Sequence, residues 1–274
     1  MGSGIAEVCA RAGIDVVVVE ATAEAVKAGR ERVNGSLSRA VARGKLGEAE
    51  RDEAMARLAF SDDWDMVAGC DLVVEAIVED PALKVAAFER LSATVTAPDA
   101  ILASNTSSIP IMRLATATNR PEHVIGLHFF NPVPMLPLVE LVPSLMTSAE
   151  TKDRVNRFAA DALGKHVILS KDRAGFVVNA LLIPYLLSAI RMLESGFATA
   201  DDIDAGMVHG CAHPLGPLAL ADLIGLDTTM AVAESMYAEF KEPLYASPPL
   251  LSRMVEAGLL GRKSGRGFYG YSAH

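Results

Sequence analysis

The sequence predicts a doubly wound α/β sheet followed by an all-helical domain. Three observations carry this expectation: short β-branched apolar runs alternating with helical patterns up to about residue 170, the disappearance of such runs after it, and Gly- and Pro-rich turns between the later helical stretches. The apolar runs are Asp15–Glu20, Asp71–Ile77, Ile101–Ser104, Val124–His128 and Leu138–Val142. Near-continuous apolar runs bounded by turn residues suit buried parallel strands, and the helical patterns between them suit crossover connections.

The first segment, from Gly2 onward, reads as a helix packed against a strand, and the run ending at Glu20 reads as the strand after it. A doubly wound unit opens with a strand and then G-x-G-x-x-G, whose glycines serve the turn, the approach of a pyrophosphate and the helix–strand packing. Here Gly2 matches only the third glycine, so the expectation is a Rossmann-type sheet whose first strand and first two glycines are missing. About ten further residues are expected upstream, because that strand lies at the sheet centre, flanked by the second and fourth strands. Glu20 ends its run where a carboxylate meets the adenosine ribose hydroxyls and repels a 2′-phosphate, which favours NAD over NADP. A solvated strand-end glutamate is the other reading of that residue.

The switch in pattern places a domain boundary near 170, giving a dinucleotide-binding domain over 1–170 and a helical domain over 171–274. Within the second, Phe176 to about Glu194 is apolar nearly all round and is expected to be a helix buried between domains or subunits. His213-Pro214-Leu215-Gly216-Pro217 separates later helices, and Arg262–Tyr269 reads as a structural tail whose glycines allow a tight turn.

With 274 residues, 51% of them hydrophobic and 22% charged, the chain has the makings of a packed globular protein. Phe176–Ile190, the best candidate for a bilayer span, is short and interrupted by Asn179 and Pro184. The three cysteines, Cys9, Cys70 and Cys211, have neither metal nor CxxC spacing, which suits a reducing, cytoplasmic setting. A net charge of −9 argues against general nucleic-acid binding and means that an anionic ligand needs a local basic patch. Ser36, Arg39 and Arg43 fall on one helical face, with Lys45 just beyond, and read either as such a patch or as an ordinary solvated helix face.

Three blocks carry a family resemblance: Ser104-Asn105-Thr106-Ser107-Ser108, Gly126 to Pro134 (GLHFFNPVP), and Leu138-Val139-Glu140-Leu141-Val142. With Asp71–Glu79, Asp172–Leu181 and Gly261–Tyr269, they make the whole chain resemble the 3-hydroxyacyl-CoA dehydrogenases, the bacterial 3-hydroxybutyryl-CoA branch in particular. The resemblance implies NAD-dependent oxidation of the 3-hydroxyl of a short (S)-3-hydroxyacyl-CoA, a homodimer formed through the helical domain, and a site in the cleft between domains. It implies His128 as the base, Glu140 as the carboxylate behind it, Ser107 on the reacting oxygen and Asn179 positioning the substrate. Glu79, Lys84, Asn105 and Asn131 match positions lining the nicotinamide half of the cofactor site, and Ser36 and Arg43 match positions that touch CoA.

The residue types suit this chemistry. Histidine titrates near working pH and passes a proton either way, and a buried carboxylate fixes its tautomer and stabilises the imidazolium. Two other readings stay open at the level of sequence: a related dehydrogenase of free sugar acids, and a structural relative that has lost cofactor binding.

Overall fold

Apolar runs of four to six residues, most of them rich in β-branched side chains, fit a pleated surface and form the strands. The computed structural model describes residues 1–271, and the chain divides into two units, Met1–Asp172 and Arg173–His274. The first unit runs α1 (Gly2–Arg11), β1 (Val16–Val19), α2 (Ala23–Ala42), α3 (Glu48–Ala56), β2 (Leu58–Ser61), β3 (Leu72–Glu75) and α4 (Pro81–Thr94). It continues through β4 (Ile101–Ser104), α5 (Ile111–Ala115), β5 (Val124–Phe129), β6 (Leu138–Pro143), α6 (Ala149–Arg157) and β7 (His166–Leu169). Helix starts follow local chemistry. Thr22 accepts the Ala25 N–H at the head of α2, and Asp80 accepts from Ala82 and Leu83 at the head of α4, where Pro81 has no N–H to leave unpaired.

The strands make two sheets, a parallel pair β1–β2 and a five-stranded sheet in the order β3-β4-β5-β6-β7. This is the Rossmann-like architecture expected from the sequence, with two differences. Leu138–Pro143 does not run parallel to its neighbour: β6 is antiparallel to β5. The stretch 130–137 is too short for a crossover, so the chain turns straight back. Two further strands, β2 and β7, join the sheets; β7 ends in exposed residues at the sheet edge and so shows no continuous apolar run.

Among the described residues β1 pairs only with β2, and β3 only with β4. Between β1 and β3 lies a cavity of about 940 Å³ lined by both strands and by α1. The core beside it is formed by Ile5, Cys9, Ile125, Leu127, Val139 and Leu141, all nearly inaccessible.

The second unit is helical: α7 (Val178–Glu194), α8 (Ala200–Ala205), α9 (Pro217–Ile224), α10 (Leu226–Phe240) and α11 (Pro249–Glu256). α7 begins after Gly175 and Phe176, both at positive φ, rather than at Phe176 itself. It is buried on one face only. Ile183, Leu186, Leu187 and Ile190 enter the core, whereas Leu181 is 75% exposed, so complete burial does not hold within this chain. Residues 261–271 fold over α9: Asp222 accepts the N–H groups of Phe268 and Tyr269 and the hydroxyl of Tyr271. A Cβ at Gly267 would collide with the Asp222 carboxylate, which explains the glycine there. No helix among the described residues is long and apolar enough to cross a membrane.

Candidate active site

The β5–β6 register sets the centre of the site. It places His128 directly opposite Glu140, and directly opposed side chains on one face of an antiparallel pair are within contact range. His128 Nδ1 lies 2.7 Å from Glu140 Oε2, and the two residues are 4% and 0% exposed. A carboxylate this deeply buried needs a charge-stabilising donor. An ionised carboxylate can only accept, so Nδ1 carries the proton and Nε2 presents its lone pair. Ser107 Oγ, in the loop after β4, lies 3.0 Å from Nε2 and donates to it. The Phe130 ring packs beside the imidazole, with centroids 4.6 Å apart.

Ser107 is held in place by a network that links separate segments of the chain. Glu79 Oε1 accepts from Thr106 Oγ1 at 2.5 Å, from the Ser107 N–H at 3.0 Å and from the Ser108 N–H at 3.2 Å. Lys84 Nζ lies 3.4 Å from the other oxygen of Glu79 and 2.6 Å from Glu75 Oε1, while Ser104 Oγ donates to Glu75 Oε2. Lys84 is 1% exposed, so its ammonium is enclosed between two carboxylates and reaches a cofactor only through them. Asn105 spans β3 and β5: its N–H donates to the Glu75 carbonyl and its Oδ1 accepts the Phe129 N–H, both at 2.8 Å.

At the dinucleotide end, Glu20 follows β1 and its Oε1 lies 3.5 Å from Arg32 Nη2; Arg32 also reaches Ser3 Oγ. Gly2, Ser3, Glu20 and Arg32 share the wall of the large cavity. The start of α1 has no side-chain cap, leaving backbone N–H groups for an anion. A carboxylate for a ribose diol beside a helix N-terminus for a phosphate is a donor set that fits NAD. A Cβ at Gly2 would make an ordinary contact, 3.7 Å from Ala76, whereas at Gly4 it would meet Val133 at 3.1 Å. Close packing of α1 therefore depends more on Gly4 than on Gly2.

Ser36 and Asn131 come together in a second pocket of about 210 Å³, along with Ser3, Arg32 and Pro132. Arg43 caps the C-terminus of α2, and Lys45 follows Gly44; both side chains are exposed. Asn179 stands half-buried in the first turn of α7, in the second unit. Sequence reasoning missed Glu75, Thr106 and Arg32. The available signal for Glu75 was a carboxylate inside an otherwise apolar strand, which requires a cation nearby.

Comparison with known proteins bears on this arrangement. Residues 1–173 match the 3-hydroxyacyl-CoA dehydrogenase NAD binding domain, and residues 175–271 match the C-terminal domain of the same family. A 3-hydroxybutyryl-CoA dehydrogenase of Mycobacterium tuberculosis is 59% identical over 271 residues, covering 99% of this chain and 95% of the relative. The crystal structure of M. tuberculosis FadB2 superposes with a TM-score of 0.98 at 58% identity, covering 99% of this chain and 95% of that one. The (S)-3-hydroxybutyryl-CoA dehydrogenase PaaH1 of Ralstonia eutropha gives a TM-score of 0.93 at 46% identity, covering 100% of this chain and 96% of that one.

Proposed function

This chain belongs to the 3-hydroxyacyl-CoA dehydrogenase family, and on that premise we propose how its residues carry out the reaction. The activity is NAD-dependent, reversible oxidation of the 3-hydroxyl of a short (S)-3-hydroxyacyl-CoA to the 3-oxoacyl-CoA, as in the 3-hydroxybutyryl-CoA dehydrogenases it resembles. The observation that carries the mechanism is the line from Ser107 Oγ through His128 to Glu140.

NAD, when bound, supplies the hydride acceptor. His128 Nε2, already directed by Glu140 on the opposite nitrogen, takes the proton of the substrate hydroxyl. Glu140 stays ionised and offsets the positive charge that the imidazole acquires. Ser107 donates to the reacting oxygen and exchanges that bond with the one it makes to Nε2. Glu20 receives the ribose hydroxyls, and the head of α1 receives the pyrophosphate. Glu79, Lys84, Asn105 and Asn131 shape the nicotinamide side, Lys84 acting through Glu79. Asn179, from the second unit, positions the thioester, and Ser36, Arg43 and Lys45 receive the CoA nucleotide.

The assembly is a homodimer through the helical unit, supported by the exposure of Leu181, Phe197 and Leu223 at 75%, 79% and 52%. Free Cys9, Cys70 and Cys211 support a reducing compartment, the cytoplasm, as its place of work.

The direct test follows NADH absorbance with (S)-3-hydroxybutyryl-CoA, its R isomer and free 3-hydroxybutyrate. Turnover of the S thioester alone is the expected result. Equal turnover of the free acid would point to a dehydrogenase that does not read CoA.

A further inference from the structure

Glu75 ends the apolar strand β3, yet its side chain is only 2% exposed. A carboxylate is tolerated there because its polar neighbours donate to it. Lys84 Nζ at 2.6 Å and the Ile77 N–H at 2.7 Å reach Oε1, and the hydroxyl of Ser104, its register partner on β4, reaches Oε2 at 2.6 Å. An undissociated acid would have to present its own O–H to one of these donors, so the arrangement requires the anion. The same holds at Glu79, whose Oε1 meets the Thr106 hydroxyl and the N–H groups of Ser107 and Ser108. Among the described residues, Lys84 is the only cation paired with either carboxylate. Two carboxylates and one ammonium leave one negative charge, and burial of Glu75 and Lys84 limits its screening by water.

This charge stands beside the reacting atoms. Glu79 Oε1 is 3.0 Å from the Ser107 backbone nitrogen, and Ser107 Oγ is 3.0 Å from His128 Nε2. Hydride passes to the nicotinamide from the carbon whose hydroxyl His128 deprotonates, and reacting atoms approach to about 3–3.5 Å, so the ring lies within about 10 Å of the cluster. That ring is cationic in oxidised NAD and neutral in NADH. We propose that Glu75, Lys84 and Glu79 form an electrostatic selector of cofactor redox state, whose surplus negative charge favours bound oxidised NAD over NADH. Glu75 is the residue that makes the surplus: by offsetting the Lys84 ammonium from inside the sheet, it leaves the charge of Glu79 uncancelled toward the ring. This inference rests on the function proposed above and adds to it a role for Glu75.

The test is of binding and needs no turnover. NADH is titrated by its fluorescence, oxidised NAD by displacement of NADH, and ADP-ribose, which lacks the ring, serves as reference. Glu75→Gln keeps the shape and removes one charge. It should raise the Kd of oxidised NAD relative to that of NADH by roughly three- to thirtyfold, the range for a unit charge about 8–10 Å away in a partly screened site. Lys84→Gln should move the ratio the opposite way, and the double variant, with one negative charge restored, should return it to the parent value. Glu79→Gln removes the same charge from a side chain that is 37% exposed, so the answer does not hang on whether Glu75→Gln folds. ADP-ribose should bind all variants alike. Three results would overturn the proposal: an unmoved ratio in both Glu75→Gln and Glu79→Gln, a shift of the same sign in Glu75→Gln and Lys84→Gln, or an equal loss of ADP-ribose binding. The last two would assign these residues to packing alone. A parent protein that binds none of the three ligands would overturn the cofactor reading itself, and this proposal with it.

Discussion

Glu79 reaches across from the segment after β3 to accept the N–H of Ser107, whose hydroxyl lies 3.0 Å from His128 Nε2. A single carboxylate oxygen therefore sets the position of the hydroxyl facing the imidazole. Glu79→Ala should lower kcat by roughly tenfold to a hundredfold, because a displaced catalytic geometry of about 1 Å costs on that order. Glu79→Gln, which keeps an acceptor oxygen, should recover much of the loss. An alanine variant with unchanged kcat would show that the loop holds Ser107 unaided, and a rise in the KM for NAD alone would assign Glu79 to cofactor contact.

His128→Gln should lower turnover by at least roughly 10²–10⁴-fold with NADH affinity retained, the range that general acid–base catalysis contributes. Glu140→Gln should also lower it sharply. The double variant should be little worse than His128→Gln alone, because the pair acts as a unit. Steady-state kinetics with an NADH titration checks both points. Strictly multiplicative losses would separate the two residues functionally.

Glu20→Ala should weaken NAD binding and raise acceptance of NADP. The substitution removes the carboxylate and releases Arg32, 3.5 Å away, to meet a 2′-phosphate. The measurement is the ratio of kcat/KM for the two cofactors. An unaltered ratio would place ribose recognition elsewhere.

The cysteines should differ in reactivity. Burial pushes the Cys9 thiol up to about 12, against a smaller opposing pull from Lys165. At pH 8 only about 10⁻⁴ of it is thiolate, the reactive form. Partial burial, with the Asp71 charge adding to it, also raises Cys70, while Cys211 is exposed. Iodoacetamide labelling read by mass spectrometry should therefore mark Cys211 first and Cys9 last. Labelling of Cys9 at the rate of Cys211 would show that α1 opens readily from the sheet.

How far the sequence could be read depended on how local each signal was. β3, β4 and β5 were legible because strands paired on an inner sheet are apolar nearly throughout, as in Ile101–Ser104. β7 was not, since half its residues face outward. The direction of β6 was misread because an apolar run looks the same whichever way its neighbour points; the short connection held the answer. His128, Glu140 and Ser107 were legible as a group through the family resemblance of three short blocks, and the structure brings their side chains together. The enclosure of Lys84 was not, because its partners Glu75 and Glu79 gain their meaning only when three chain segments converge. Gly4 was overlooked in favour of Gly2 for a similar reason, since Val133 approaches it from far along the chain.

On the mechanism proposed above, the opposition of His128 and Glu140 makes the length of 130–137 a catalytic quantity. Side chains alternate faces along a strand, so one residue inserted or lost there, if it slips the pairing by one, sends Glu140 to the other side of the sheet. Such a chain could keep its hydrophobic inventory and every residue of its site and still have no working base. For this hairpin, arithmetic counts along with chemistry: the number of residues between Phe130 and Pro137 can change without moving Glu140 only if a bulge absorbs the difference.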